Sequence, residues 1–349
     1  MSGGASLARF PAPSAVAAAK PRPPVLDANA LVYDRHGWRT FFQLLAAVAP
    51  HYLAAFAAGL AHAFRVDPAA YLNTLQERGP AAAIDLLVAG QPESLDVDAH
   101  LRALDRQGIA GQIVHGLPGG GVNDRVAALA AAARGRIHAW ASVSLLDPNA
   151  AVAEIERCRG LGMSGISVAP FYDGIPAADE RCDAVLAAAE RLGLPVWIHT
   201  GQHFRRDRPI DLCTWRDIDR IAVAHPDLIL VAGHGGWPWV AQMVAVAQRH
   251  PGVHIEISSH RPSRMAMPGS GWEPLLLHGR GVIRDKVLFG TASVLHPLPA
   301  SSLAEEVLDL GLGERAARGW LGGNAARVLG ACAAAAPDHA RPDHPTSGG

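Results

Sequence analysis

Two histidines stand where this chain could do chemistry. His199 ends the short apolar run Leu194-Pro195-Val196-Trp197-Ile198, and His234 follows Leu228-Ile229-Leu230-Val231-Ala232-Gly233. Runs of this length, bounded by Pro or Gly and lacking polar alternation, read as parallel strands covered on both faces. In parallel sheets and barrels the carboxyl ends of the strands carry the reactive groups. Imidazole gives or takes a proton near neutral pH, so two strand-end histidines point to acid–base chemistry. The plainer reading of either one alone is a hydrogen-bonded core histidine.

The elements that must hold these residues alternate along the chain. Val25–Leu31 reads as a first strand, and Gly111–His115, His138–Val143, Gly165–Val168, Leu194–Gly201, Leu228–Gly233, Val253–Ile257 and Lys286–Phe289 as seven more. Helical spacing separates them, around 97–106, 123–134, 150–161, 178–192, 215–224, 239–249 and 273–279, with a closing helix over 301–310. Eight such units predict an α/β fold, a (β/α)8 TIM barrel closed with right-handed crossovers. Residues 25–336 would form it. Residues 37–89 are too long for a βα loop of about 2 to 6 residues, so they read as a helical insertion after the first strand. Pro50, Pro68 and Pro80 divide that insertion, and a lid or a dimer contact would each explain it.

Composition narrows the partners. The 349 residues carry 31 Lys and Arg against 32 Asp and Glu, a formal net charge of -1, which offers no footprint for nucleic acid or an anionic membrane. A small molecule is the expected partner, with a homodimer as the expected assembly. No run reaches the ~18 to 20 apolar residues of a membrane span. Cys158, Cys182, Cys213 and Cys332 lie far apart without zinc or redox spacing, which suits a reducing cytoplasm, and Cys213 reads as an ordinary thiol rather than a nucleophile. The Ala-, Pro- and Gly-rich arm over residues 1–24 does not fit a secretory signal; it and the tail over 337–349 are expected to be mobile.

Asp27 in the first strand, Asp147-Pro148, Leu194 to Gly201, Gly233-His234-Gly235-Gly236, Leu288-Phe289-Gly290-Thr291 and Gly323-Asn324-Ala325-Ala326-Arg327 occur in an order that resembles the amidohydrolase-related family. That family includes aminocarboxymuconate semialdehyde decarboxylase and related decarboxylases and lactonases. The resemblance runs from about Val25 to Gly330. It implies a distorted barrel whose metal-dependent members hold zinc or a similar ion. Their ligands are a His-x-His pair ending the first strand, a histidine ending the fifth and an aspartate ending the eighth. His199 carries over as the fifth-strand position and His234 as the histidine of acid–base work.

This chain departs from that pattern at three ligand positions. Asn29 and Leu31 stand where the His-x-His pair is expected, and Ala292 stands where the aspartate is expected. Leucine and alanine offer no donor, and an amide oxygen is a poor zinc ligand. No tightly held metal and no other cofactor are therefore expected. His115, His203, His260 and His296, near strand ends, are the residues from which a rebuilt zinc site would have to come.

Arg205, Arg206 and Arg208 after the fifth strand, and Arg261 and Arg264 after the seventh, could clamp an anionic substrate, or simply face water. Substrate contacts are expected from Asn29, His203, Arg205, Arg206, Trp237, Glu256, His260, Arg261 and His296, with His199 and His234 catalytic. Trp239 and Trp272 suit an aromatic-lined pocket or packing under the loops. Glu256 is the nearest carboxylate for proton transfer, while Asp27 reads as structural. The chain is thus expected to be a metal-independent hydrolase or lyase acting on a small anionic metabolite, by lactone or ester hydrolysis, decarboxylation or cyclisation. The competing expectations are a binding or scaffold descendant of the barrel, and a zinc enzyme with a rebuilt site.

Overall fold

The computed structural model describes residues 23–334, so the expectations for the amino-terminal arm through residue 22 and for the tail from Pro337 lie outside the described residues. Eight parallel strands follow one another around a nearly closed barrel in sequence order: β1 (Val25–Ala30), β2 (Ile109–His115), β3 (Ile137–Ser142), β4 (Gly165–Val168), β5 (Val196–His199), β6 (Leu230–Gly233), β7 (Val253–Glu256) and β8 (Val287–Leu288). Helices lie between them, as the alternation of patterns requires. β8 closes on β1 through the backbone bonds Ala28 N–H to Phe289 O and Ala292 N–H to Asn29 O, each 2.8 Å. Asp27 reinforces the seam. Its buried carboxylate accepts from the Thr291 amide at 2.9 Å and the Thr291 hydroxyl at 2.6 Å.

The barrel interior is filled by side chains. Ala28, Ile113, Trp140, Trp197, Val231 and Leu288 form one buried cluster that Ala325 and Val328 join from the closing helix Asn324–Ala334. Those two residues seal the end of the barrel away from His199 and His234. The Asn324 amide fixes this helix by donating to the carbonyls of Val287 at 2.7 Å and Arg284 at 2.9 Å. The expected closing helix over 301–310 is present as Ala300–Asp309, whereas apolar spacing does not mark the last helix, Asn324–Ala334, because Ala and Gly dominate it. Two indoles fit the interior only because their neighbours lack a Cβ. A Cβ on Gly165 would lie 2.4 Å from the Trp140 ring, and one on Gly233 would lie 2.3 Å from the Trp197 ring.

The insertion comprises α1 (Arg35–Val48), α2 (His51–Ala55), α3 (Ala57–Phe64) and α4 (Pro68–Val88). Asp34 and Asp67 cap α1 and α4 by accepting from Gly37 and Ala70 amides. Trp38, Phe42 and Phe64 pack ring against ring, with centroids 4.9 to 5.9 Å apart, and this aromatic wedge turns the helices onto the barrel mouth. Pro80 marks a break between two helical stretches of the segment Pro68–Val88, as its sequence position suggests. Gly79, at φ 81°, leaves the helical path just before it, so the two halves of α4 meet at a kink.

Because overpacking a tight core costs about 1–3 kcal/mol, Gly165→Ala and Gly233→Ala should each lower the unfolding free energy by about that amount in urea titrations. Unchanged midpoints would show that the indoles do not fill the barrel this tightly.

Candidate active site

His199 leaves the end of β5 and His234 follows β6, one register step away: His199 pairs with Gly233 in the ladder. Their rings meet edge to face with centroids 4.8 Å apart. Both line an inner chamber of about 110 Å³ and an adjoining outer chamber of about 130 Å³, so the pair stands at the waist between the two. The inner chamber is roofed by Phe41 and Leu45 of α1 and Tyr52 of α2 and walled by Phe171, Trp197 and Leu295.

Backbone strain concentrates here. Among the described residues, His234 (φ 60°), Ser259 (φ 66°) and Ala292 (φ 44°) are three of five non-glycine residues in the left-handed region, and all three line the inner chamber. Such conformations cost about 1–3 kcal/mol each and persist where the surroundings impose them.

The imidazole of His234 is oriented from below. Its Nδ1 lies 2.9 Å from the Ser258 hydroxyl and 3.3 Å from the Ser258 carbonyl. The same hydroxyl donates to Glu256 Oε2 at 2.9 Å and receives the Asn29 amide at 3.0 Å. With its one proton committed to Glu256, the hydroxyl can only accept from His234, which places the proton on Nδ1 and leaves the Nε2 lone pair free. Glu256 is fully buried and also accepts from Trp197 Nε1 at 3.1 Å, from Asn29 at 3.4 Å and from the Ser258 amide. Burial pushes its carboxyl above the usual range, and those donors offset part of that rise. Gly290 makes the space: a Cβ there would lie 2.2 Å from Glu256 Oε1.

His115, at the end of β2, stacks on Trp140 with centroids 5.7 Å apart and lines the inner chamber. Its Nε2 is buried with no hydrogen-bond partner, while a bond to the Ala28 backbone occupies the ring from the other side. Burial holds this imidazole down to about 3 and His234 down to about 4, and the same cause, with His234 and His203 adding to it, lowers His199 well below the ordinary value. All three are neutral bases at physiological pH. The hydroxyls of Tyr52 and Tyr172, raised by burial, stay protonated.

The other residues singled out from sequence are distributed as follows. Asn29 lines the inner chamber, and His203, Trp237 and His260 line the outer one. His203 uses both ring nitrogens, Nε2 on the Pro209 carbonyl and Nδ1 on the Arg205 amide. Glu256 lies beneath the chambers rather than on their walls. Arg205 spends its guanidinium on Asp207 and on the carbonyls of Phe171 and Tyr172, each of these at 2.7 to 2.9 Å. Arg261 pairs with Glu306, Arg206 is exposed, and none of these arginines nor His296 lines either chamber. The expectation of an anionic substrate thus loses the cations on which it rested. Trp272 packs on His260, with centroids 4.9 Å apart, beneath the loops. Cys213 is buried and its thiol is pushed well up, as an unreactive thiol should be.

Sequence reading passed over Ser258, Ser259, Tyr52, Tyr172 and Trp197. The signal for Ser258 was present: it lies two residues past Glu256, on the same face of an extended segment.

His199 and His234 thus stand at the strand carboxyl ends, where enzymes of the (β/α)8 barrel class carry their sites. The chain belongs to the amidohydrolase family, whose model matches residues 88–331, and so to enzymes of hydrolase or lyase type. None of the curated proteins compared with the chain matches it. Among solved structures it is similar to an uncharacterized TIM-barrel protein from Bordetella bronchiseptica, with 22% identity over 89% of this chain and 99% of that one and a TM-score of 0.63. It is also similar to a 5-carboxyvanillate decarboxylase from Novosphingobium aromaticivorans, which binds manganese and 3-methoxy-4-hydroxy-5-nitrobenzoic acid. That match has 15% identity over 88% and 97% of the chains and a TM-score of 0.59. A third is a probable 2-pyrone-4,6-dicarboxylic acid hydrolase from Acinetobacter baumannii, with 12% identity, 69% and 90% covered and a TM-score of 0.50.

The residues present here do not fit an ion of that kind. Leu31 and Ala292 face the inner chamber with methyl groups, Asn29 turns its amide to Ser258 and Glu256, and among the described residues no three His, Cys, Asp or Glu side chains are placed to share a metal. Sequence had offered His115, His203, His260 and His296 for a rebuilt site, and they do not converge.

Neutral buried histidines make stability pH-dependent. The unfolded chain takes up these protons near 6.5, whereas the folded chain resists until about 3 for His115 and His260 and about 4 for His234. Their contribution is full above pH 6.5 and is lost below it. Asp27, raised to about 6, works in the opposite direction between that value and 3.8, as does the raised Glu256, while the lowered His199 and His254 add to the histidine side. The unfolding free energy should therefore fall on the order of 4 kcal/mol between pH 7 and pH 5. A flat profile in chemical denaturation across that range would contradict the neutral, buried histidines.

Proposed function

We propose that this chain is a metal-independent amidohydrolase-family enzyme in which His234 is the general base and His199 assists it, acting on a small molecule enclosed in the inner chamber. The observation that carries this reading is the bond from His234 Nδ1 to Ser258, which leaves Nε2 unprotonated within a cavity shared with His199. That shared cavity also disfavours a purely structural barrel, in which the two rings would lie in separate packing.

Hydrolysis of a lactone or activated ester suits the arrangement best. Water loses a proton to His234 Nε2 as its oxygen bonds to the carbonyl carbon. The bond from that carbon to the leaving oxygen then breaks, and the imidazolium returns its proton to the departing alkoxide. Glu256, reached through the Ser258 hydroxyl, stabilises the transient imidazolium, and the Tyr52 and Tyr172 hydroxyls offer donors to the oxyanion. Decarboxylation is favoured less, since a carboxylate entering either chamber meets no lysine or arginine.

The test is turnover of a panel of small lactones and aryl esters. For the substrate it identifies, His234→Ala should lower kcat by about 10² to 10⁴, and EDTA should leave the wild-type rate unchanged. Loss of activity in EDTA with recovery on adding zinc or manganese would overturn the metal-independent reading. An unaffected His234→Ala variant would overturn the base assignment.

A further inference from the structure

We infer that the inner chamber selects an uncharged, single-ring molecule that presents a hydroxyl or N–H donor to His115 Nε2. The inference rests on the reading of this chamber as the substrate site and adds its ligand class. Three observations converge on it. First, the residues lining the inner and outer chambers include histidines, hydroxyls and amides but no lysine, arginine, aspartate or glutamate. An ion taken into a buried apolar cavity without a partner of opposite charge keeps most of its desolvation penalty. Second, His115 is part of that lining, and its Nε2 is buried and unpaired just behind the chamber surface. A buried polar atom without a partner is costly in an otherwise satisfied structure, and a ligand donor would remove that cost.

Third, the lone pairs point one way. The Ser258 hydroxyl fixes the His234 proton on Nδ1, so Nε2 of this ring accepts rather than donates, and the backbone bond of the His115 ring to Ala28 leaves its unpaired Nε2 to accept as well. Two acceptors repel a carboxylate and welcome a hydroxyl. The cavity size and walls set the rest. About 110 Å³ between the faces of Phe41, Phe171 and Trp197 is smaller than the 150 Å³ engineered apolar cavity that admits benzene. One ring can enter with modest adjustment of the α1 and α2 side chains, and the His199–His234 wall that both chambers share leads a substituent on to the outer chamber.

The experiment is binding to the intact chain at pH 7.5, followed by ligand-observed NMR titration with three probes of one ring each: phenol, toluene and benzoate. Phenol should bind at least tenfold more tightly than benzoate and measurably more tightly than toluene. His115→Phe, which keeps a ring against Trp140, should reduce phenol affinity to that of toluene. Benzoate binding as tightly as phenol, or none of the probes binding, would overturn the inference, as would phenol binding that is indifferent to His115→Phe in a folded variant. The comparison among probes uses wild-type protein alone, so it stands even where the variant fails to fold. Selective phenol binding together with an unaffected His234→Ala rate would reject the proposed base and leave the ligand class standing.

Discussion

The hydroxyl of Ser258 takes hydrogen bonds from Asn29 and His234 and gives one to Glu256, and most of the site follows from that single oxygen. It joins β1, the turn after β6 and the end of β7, while Trp197 of β5 reaches the same carboxylate. A buried carboxylate is tolerated only when its lone pairs are met, and here backbone, indole, amide and hydroxyl meet them. The consequence is directional. Once the hydroxyl proton belongs to Glu256, the tautomer of His234 is decided, and with it the face of the ring that meets a substrate.

The same packing that builds this network removes charge from the cavity above it. Aromatic residues from the insertion and from the β4 and β5 loops dry the mouth of the barrel, which favours uncharged imidazoles, protonated phenols and neutral ligands. Leu31 and Ala292 face the chamber where the family resemblance places an ion's ligands, and Asn29 has been drawn into the Ser258 network. Asn29 thus makes hydrogen bonds, and Leu31 and Ala292 apolar contacts, at the positions where the resemblance implies ligands.

Much of the barrel was legible because parallel strands buried on both faces leave uninterrupted apolar runs, and β4 and the helix over 215–224 were bounded at the residues observed. His199 and His234 were legible for a related reason: each ends such a run, so its place at the barrel mouth follows from the strand. Arg205 and Arg261 were misleading because loop arginines carry no period, and nothing local reveals that Asp207 and Glu306 already hold them. Tyr52 and His115 meet in one chamber only through the tertiary path of the insertion, 63 residues of sequence apart in their numbering. Ser258 could have been found, since its spacing from Glu256 puts both on one side of the chain, but a lone serine carries little weight until its partners are known.

The proton on His234 is the central claim, and nitrogen NMR of protein labelled at its histidine rings reads it directly, with His234→Gln providing the assignment. At pH 7 the account predicts a neutral ring carrying its proton on Nδ1, with Nε2 showing the shift of an unprotonated nitrogen. A cationic ring at that pH, or a neutral ring protonated on Nε2, would contradict it.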